Sequence, residues 1–402
     1  MKITRFEFHD HAADWHLEPT AFDSLNLLVG VSGVGKTKIL EAFRRVCRLA
    51  LESDYNPGLI EWNIEFEQED KSYRWSGRTE TPPDDGLGEL EASSTSLRAA
   101  APTRIANEQV SNGTSASLID RDAEVFTFQG DRLPRLRNTV SAIALLENEE
   151  AVAPLRRGFK RALFSKASEL PLRLPSQTFR VAGLVHQTEI YTRLREGPDG
   201  FAKFKEALAE SGLKNLSEYA PLAAFYLQEA FPEQFAELQD VFIDTFPFVT
   251  DVKIVKSNRA QSSTAVTLEL AIRETDLNGW VMQSDISSGM LKTLVHAIET
   301  FLAPPGSVIV IDEFENSLGI NCMSDLTRLI LRRTDCQVIL TSHHPYIIGH
   351  VPVDAWKLVT RKGGHVSVTS ARDIPELKSA SRLDSFTRLI NLPEYRFEEG
   401  IQ

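Results

Sequence analysis

Gly30-Val31-Ser32-Gly33-Val34-Gly35-Lys36-Thr37 fills every fixed position of the pattern G-x-x-x-x-G-K-[ST]. The chemistry behind that spacing is the cradling of a polyphosphate. Glycines lack the Cβ atoms that would hold the main chain away from the phosphates, and they reach the dihedrals that turn successive N–H groups inward. Lys36 supplies a point charge for the β- and γ-phosphates, and the Thr37 hydroxyl is an oxygen ligand suited to Mg²⁺. The residues expected to touch a nucleotide are Gly30, Ser32, Gly33, Val34, Gly35, Lys36, Thr37 and Lys38, with ATP and Mg²⁺ the expected ligands.

A pair of acids complements this loop. Val308-Ile309-Val310-Ile311 is an apolar run of the kind buried on both faces of a parallel sheet, and it leads into Asp312-Glu313. That order, the one a Walker B strand requires, delivers Asp312 beside the metal and Glu313 one residue later, where a carboxylate can polarise an attacking water. Upstream, Ile286-Ser287-Ser288-Gly289-Met290 opens a helix expected over 290–301. Small hydroxyl residues and a glycine at a helix N-terminus form a second phosphate-binding arrangement, assigned to Ser287, Ser288 and Gly289. Val338-Ile339-Leu340-Thr341 reads as a strand ending in Ser342-His343-His344-Pro345. A histidine just past a strand tip is suited to contact γ-phosphate or the attacking water.

In this order the motifs resemble the ABC-type ATPase heads of the SMC, RecF and OLD group. ISSGM stands where that group has its LSGGQ-like signature, with Ser288 replacing the first signature glycine and Met290 the glutamine. Asp312-Glu313 followed by Phe314-Glu315-Asn316-Ser317-Leu318 looks like its Walker B segment and D-loop. Thr341-Ser342-His343 looks like its switch histidine, with His344 the rival for that role. The resemblance covers residues 1–50 and about 240–350. It implies a glutamine that reaches Mg²⁺ and water, for which Gln129, ending the apolar run 125–128, is the candidate and Gln109 the rival. It also implies that the signature of one copy closes over ATP held by the phosphate loop of another, so that ATP joins a head-to-head homodimer.

A narrower resemblance follows from the compact insertion and the phrase DEFEN. Both look like the ATPase subunits of bacterial anti-phage systems, PtuA of Septu and certain retrons or AriA of PARIS. That implies a separate effector, a nuclease or toxin, under the ATPase's control. The other implied function is a RecF-like ATPase that clamps DNA.

The elements that must position these residues are legible from periodicity. Leu25–Val29 is a buried strand before the loop, and Ile39, Leu40, Phe43, Val46, Cys47 and Ala50 give the following helix one apolar face. Residues 1–30 predict two strands, 2–8 and 24–29. Ile60, Trp62, Ile64 and Phe66, then Tyr73 and Trp75 after a Glu-Asp-Lys turn, predict a hairpin. Residues 79–122 read as a long loop or insertion, and 135–244 as mostly helical with breaks at Pro154, at Pro171–Pro175 and at Gly197-Pro198. Strands are expected at 252–255 and 265–272. The expected fold is α/β, a P-loop NTPase head of ABC type whose mixed sheet includes an antiparallel β subdomain, plus a compact helical insertion lobe. Residues 1–135 form its N-terminal half, 136–245 the lobe and 246–402 the C-terminal half.

Composition narrows the partners. A formal charge of −12 over 402 residues argues against a surface built wholly for nucleic acid. Locally, Arg156, Arg157, Lys160, Arg161, Lys166, Arg173 and Arg180 face one acid, Glu169, which reads as a solvated helix face or as a phosphate-backbone or partner-docking patch. No apolar run approaches the roughly 20 residues that span a bilayer, and the first residues lack the apolar core of a signal peptide, so a cytoplasmic protein without membrane contact is expected. Cys47, Cys322 and Cys336 lack metal or disulfide spacing. His9, His11 and His16 crowd the N-terminus without an accompanying carboxylate or cysteine pattern, and read as polar strand-end residues rather than metal ligands.

Overall fold

Side chains that alternate between a buried and a polar face build most of the first half of the molecule, as where Ile60, Trp62, Ile64 and Phe66 are buried while Glu61, Asn63 and Glu65 face away. The structure, a computed structural model, describes the chain except residues 83–102, 114–116, 168–176, 212–215, 258–263, 317, 378–381, 393–394 and 396–402. It divides into two units. The first comprises Met1–Ala162, Asp354–Lys378 and Arg388–Gln402, the second Leu163–Val353 and Ser379–Thr387. Each combines strands and helices, and the whole is a mixed α/β protein.

The first unit contains β1 (Lys2–Asp10), β2 (Trp15–Ala21), β3 (Leu25–Val29), α1 (Lys36–Leu51), β4 (Ile60–Gln68), β5 (Lys71–Glu80), β6 (Arg104–Asn112), β7 (Ser117–Arg121), β8 (Phe126–Phe128), β9 (Asp131–Arg132), α2 (Ala142–Leu145) and α3 (Ala153–Lys160). It also contains β17 (Trp356–Lys362) and β18 (His365–Ser370). Its strands are ordered β3-β17-β18-β2-β1-β4-β5-β6-β7-β8-β9. The pairs β3·β17 and β18·β2 are parallel, and the remaining described pairs in this unit are antiparallel. Trp62, Trp75, Phe66 and Phe159 pack edge to face in the core, where each such side chain contributes roughly 1.5–3 kcal/mol by leaving water. The β4–β5 turn, Glu69-Asp70, has both residues at positive φ, the geometry that lets a two-residue hairpin match strand twist.

Three expectations fail here. The N-terminal residues form three strands rather than two. β2 was hidden by Glu18-Pro19, which falls where the β1·β2 register shifts between Phe6 and Phe8, and a bulge is where a strand tolerates proline. Residues 104–112 and 117–121, read as loop, are β6 and β7. Their pattern is obscured because buried positions include polar Glu108 and Arg121, 0% and 3% exposed at the side chain and paired at 3.5 Å. Pro154 does not break a helix but lies in the first turn of α3, where its missing N–H costs nothing. Residues 171–175, the site of another expected break, lie outside the described residues.

The second unit contains β10 (Ala162–Ser165) from its second residue on, β11 (Gln177–Arg180), α4 (Val181–Leu194), α5 (Gly200–Glu210), α6 (Ala220–Ala230), α7 (Pro232–Thr245), β12 (Val249–Ser257), β13 (Ala265–Glu274), β14 (Val281–Met282), α8 (Ser288–Leu302), β15 (Val308–Ile311), α9 (Ile320–Leu331), β16 (Gln337–Thr341) and α10 (Pro345–His350). β10, β15 and β16 are neighbours, with β15·β16 parallel, while β11, β13, β12 and β14 form a separate antiparallel sheet. The helices α4–α7 lie within residues 136–245, with α4 and α5 separated at Gly197-Pro198 and Asp199 left-handed. No helix among the described residues is long and apolar enough to cross a membrane.

Candidate nucleotide site

In the first unit, β3 feeds directly into the glycine loop and α1. Gly30, Gly33 and Gly35 all take positive φ (152°, 86° and 107°), and Gly35 serves as the left-handed N-cap of α1. Gly30 is fixed by its neighbour as well: a Cβ there would stand 2.6 Å from the Val359 carbonyl oxygen of β17. The Lys36 ammonium folds over its own loop, donating to the Gly30 oxygen at 2.7 Å and the Val31 oxygen at 3.1 Å. Arg361 of β17 donates to the Gly33 oxygen at 3.4 Å. Ser32, Gly33, Thr37 and Lys38 are exposed, Gly35 and Lys36 half-buried, and Val34 buried as the loop's anchor. A loop of this shape at a helix N-terminus is an anion cradle.

Gln129 is also in the first unit. It forms, with Gly130, the two-residue turn between β8 and β9, both at positive φ, and it is exposed. Along the strand order eight strands lie between β3 and β8, so the sheet does not itself bring Gln129 to the glycine loop. Gln109, the rival, pairs with Ser76 and Asp120 in the middle of β6.

The second unit carries the acidic corner. All four residues of β15 are buried. At its end, Thr341 of β16 holds the acids: its Oγ1 donates to Asp312 Oδ1 at 2.6 Å, accepts from the Glu313 N–H at 2.7 Å, and its carbonyl accepts from the Phe314 N–H at 3.1 Å. Glu313 sits at φ 45°, a conformation that a side-chain-bearing residue keeps only where its surroundings impose it, and its carboxylate is exposed. His343 is anchored by Glu315, whose Oε1 accepts from the His343 N–H and from Nδ1, both at 2.8 Å. With Nδ1 donating, Nε2 is directed away from Glu315 on a ring 61% exposed. His344 is used differently: its Nδ1 accepts from the Tyr346 N–H as the N-cap of α10. Thr341 and Glu315 are the positioning residues that motif reading missed, although Glu315 was visible as the third acid of DEFE.

Ser287 caps α8, its Oγ accepting from the Met290 N–H at 3.4 Å, and is exposed while Ser288 and Gly289 are half-buried. The helix behind them is otherwise almost wholly buried, polar Lys292, His296 and Glu299 included. Glu299 accepts from Ser165 Oγ at 2.6 Å and from Ser217 Oγ. Burial pushes the Glu299 carboxyl up to about 7, and burial, followed by the charge of Lys292, pushes His296 down to about 4.

Three residues of the basic stretch pair with acids of the chain. Arg156 pairs with Glu147 at 2.7 Å, Arg157 with Glu69 at 2.8 Å and Lys166 with Glu218 at 3.4 Å, while Arg173 lies outside the described residues. All three cysteines are buried, and burial raises the thiols of Cys47 and Cys336.

Residues 192–349 match the family described as "AAA domain, putative AbiEii toxin, Type IV TA system". The match includes α8, the Asp312-Glu313 corner and His343, and excludes the glycine loop of residues 30–37. Among solved structures the chain is similar to an SMC head bound to the C-terminal winged-helix domain of ScpA, at 13% identity and TM-score 0.44, over 92% of this chain and 98% of that one. It is similar to the Pyrococcus furiosus SMC head with an extended coiled coil bound to the ScpA C-terminal domain, at 12% identity and TM-score 0.43, over 92% and 96%. It is similar also to the SMC head domain from Thermotoga maritima, at 11% identity and TM-score 0.41, over 92% and 99%. No curated protein matches the chain.

Proposed function

We propose that the protein binds and hydrolyses MgATP. The phosphate loop holds the polyphosphate through its N–H groups and Lys36, Thr37 and Asp312 serve the metal, Glu313 polarises water, and His343 senses the γ-phosphate. The observation that carries this reading is the glycine loop itself, three glycines at positive φ capping α1 with Lys36 folded over them. Mg²⁺ bound there supplies charge neutralisation at the phosphates. The exposed Ser287 at the start of α8 is available to a second copy of the chain, which supports a homodimer joined by ATP. Gln129 keeps its proposed metal role only if its hairpin approaches the nucleotide in that assembly.

We further propose that ATP occupancy controls a separate effector, a nuclease or toxin, in anti-phage defence, as in the PtuA and AriA ATPases. The matched family's description, which names a putative toxin of a type IV toxin–antitoxin system, supports a place in such a system and leaves the separate effector to the resemblance alone. The internal pairing of Arg156, Arg157 and Lys166 weighs against the DNA-clamping alternative. The test is nucleotide binding and phosphate release by the purified chain. Lys36→Ala is expected to lose ATP binding, and unchanged affinity would overturn the proposal. ATP-dependent, salt-sensitive DNA binding by the chain alone would favour the clamp instead.

A further inference from the structure

The N-terminal histidines lacked a carboxylate in the sequence, and the fold supplies it. Antiparallel pairing sets His9 directly opposite His16 on one side and Glu61 on the other, and parallel pairing sets His365 opposite His16. The row His365–His16–His9–Glu61 therefore crosses four adjacent strands on one face of the sheet, the face opposite Phe6, Phe8 and Trp62. His11 stands two residues beyond His9. The His9 ring lies 4.0 Å from that of His11 and 5.1 Å from that of His16, and the ligating atoms of His9, His11 and Glu61 all lie within 4.8 Å of one another.

We propose that His9, His11 and Glu61 bind a divalent transition metal of the zinc class. Two imidazoles and a carboxylate are a donor set such ions accept, and bonds of about 2 Å to a tetrahedral ion place its ligands about 3.4 Å apart, within reach by small side-chain rotations. A second observation points the same way. The Nε2 atoms of His11 and His16 are buried without a hydrogen-bond partner among the described residues, the nearest carboxylate oxygens being those of Glu61 at 3.7 Å and Glu7 at 3.8 Å. Buried polar atoms are seldom left so.

The backbone around the site is held in place without the ion. Asp10 accepts from the N–H groups of Ala12 and Ala13, Arg45 bonds Asp10 and the Pro57 oxygen, and the His11 N–H donates to the Leu59 oxygen. The ion would fasten the β1–β2 turn to β4. On the other face of the same strands, Trp15 and Val366, neighbours in sequence of His16 and His365, flank Gly35 of the glycine loop, where an added Cβ would stand 3.3 Å from Val366 and 3.6 Å from Trp15.

The test uses the full chain, stripped with a chelator and titrated without nucleotide, with Zn²⁺ against a chromophoric competitor and with Co²⁺ by its visible d–d absorption. Stoichiometric zinc binding and d–d bands from imidazole and carboxylate ligation are expected. His11→Ala and Glu61→Gln, each checked for folding by circular dichroism, should weaken binding about tenfold or more. His186→Ala, on exposed α4, should leave it unchanged. Absence of stoichiometric binding, or binding that survives replacement of both His9 and His11, would overturn the proposal.

Discussion

Replacing Glu299 with glutamine should change how stability depends on pH. Glu299 is raised from 4.5 to about 7 by burial, and His296, one turn earlier on α8, is lowered from 6.5 to about 4. Near pH 5.5 both are therefore neutral, and their 3.7 Å approach is not an ion pair. The raised acid favours the folded state below pH 4.5, and that advantage is lost as pH rises to about 7. The lowered histidine acts oppositely: its penalty is largest below pH 4 and is relieved by pH 6.5. Each shift amounts to about 3 kcal/mol, so across pH 4.5–6.5 the two slopes offset one another in the native protein. Glutamine is nearly isosteric, and the rotatable hydroxyls of Ser165 and Ser217 can turn to satisfy its amide. Glu299→Gln removes only the falling limb. Urea unfolding followed by circular dichroism should show the variant gaining about 3 kcal/mol relative to the parent between pH 4.5 and 7. Parallel profiles for the two proteins would refute the reasoning.

Other substitutions separate stability from chemistry. Arg121→Met should cost about 3–5 kcal/mol in denaturant unfolding, because it leaves the buried Glu108 carboxylate with only Trp75 Nε1 at 3.0 Å and the Ala142 N–H at 2.7 Å. Gly30→Ala should abolish ATP binding in a fluorescent-nucleotide titration, since its Cβ meets the Val359 oxygen at 2.6 Å in a backbone conformation alanine resists. Thr341→Val, which removes the hydroxyl joining Asp312 to the Glu313 N–H, should lower phosphate release far more than ATP affinity. Equal losses in both would contradict its positioning role.

The motifs were legible because their chemistry demands particular residues at fixed spacing. Nothing but glycine fits Gly30, and a strand buried on both faces must read like Val308–Ile311. Likewise the β4–β5 hairpin and the α1 face announced themselves through periodicity. What the sequence concealed were elements whose buried positions are polar or irregular. β6 and β7 hide a charged pair in their core, and β2 carries a proline at a bulge. Long-range partnership was equally hidden: Glu61 lies fifty residues from His11, and only strand pairing shows that they meet. The role of Thr341 depends on the parallel register of β15 with β16, which local pattern does not encode.

The central claim, that ATP is held between two copies of this chain, is tested most directly by sedimentation velocity of Glu313→Gln with and without MgATP. The variant should bind ATP, hydrolyse it about 10²-fold more slowly or worse, and shift from monomer to dimer on adding MgATP. Ser287→Arg in the same background should block the shift while leaving ATP binding intact. A variant that binds MgATP at saturation yet stays monomeric would contradict the account.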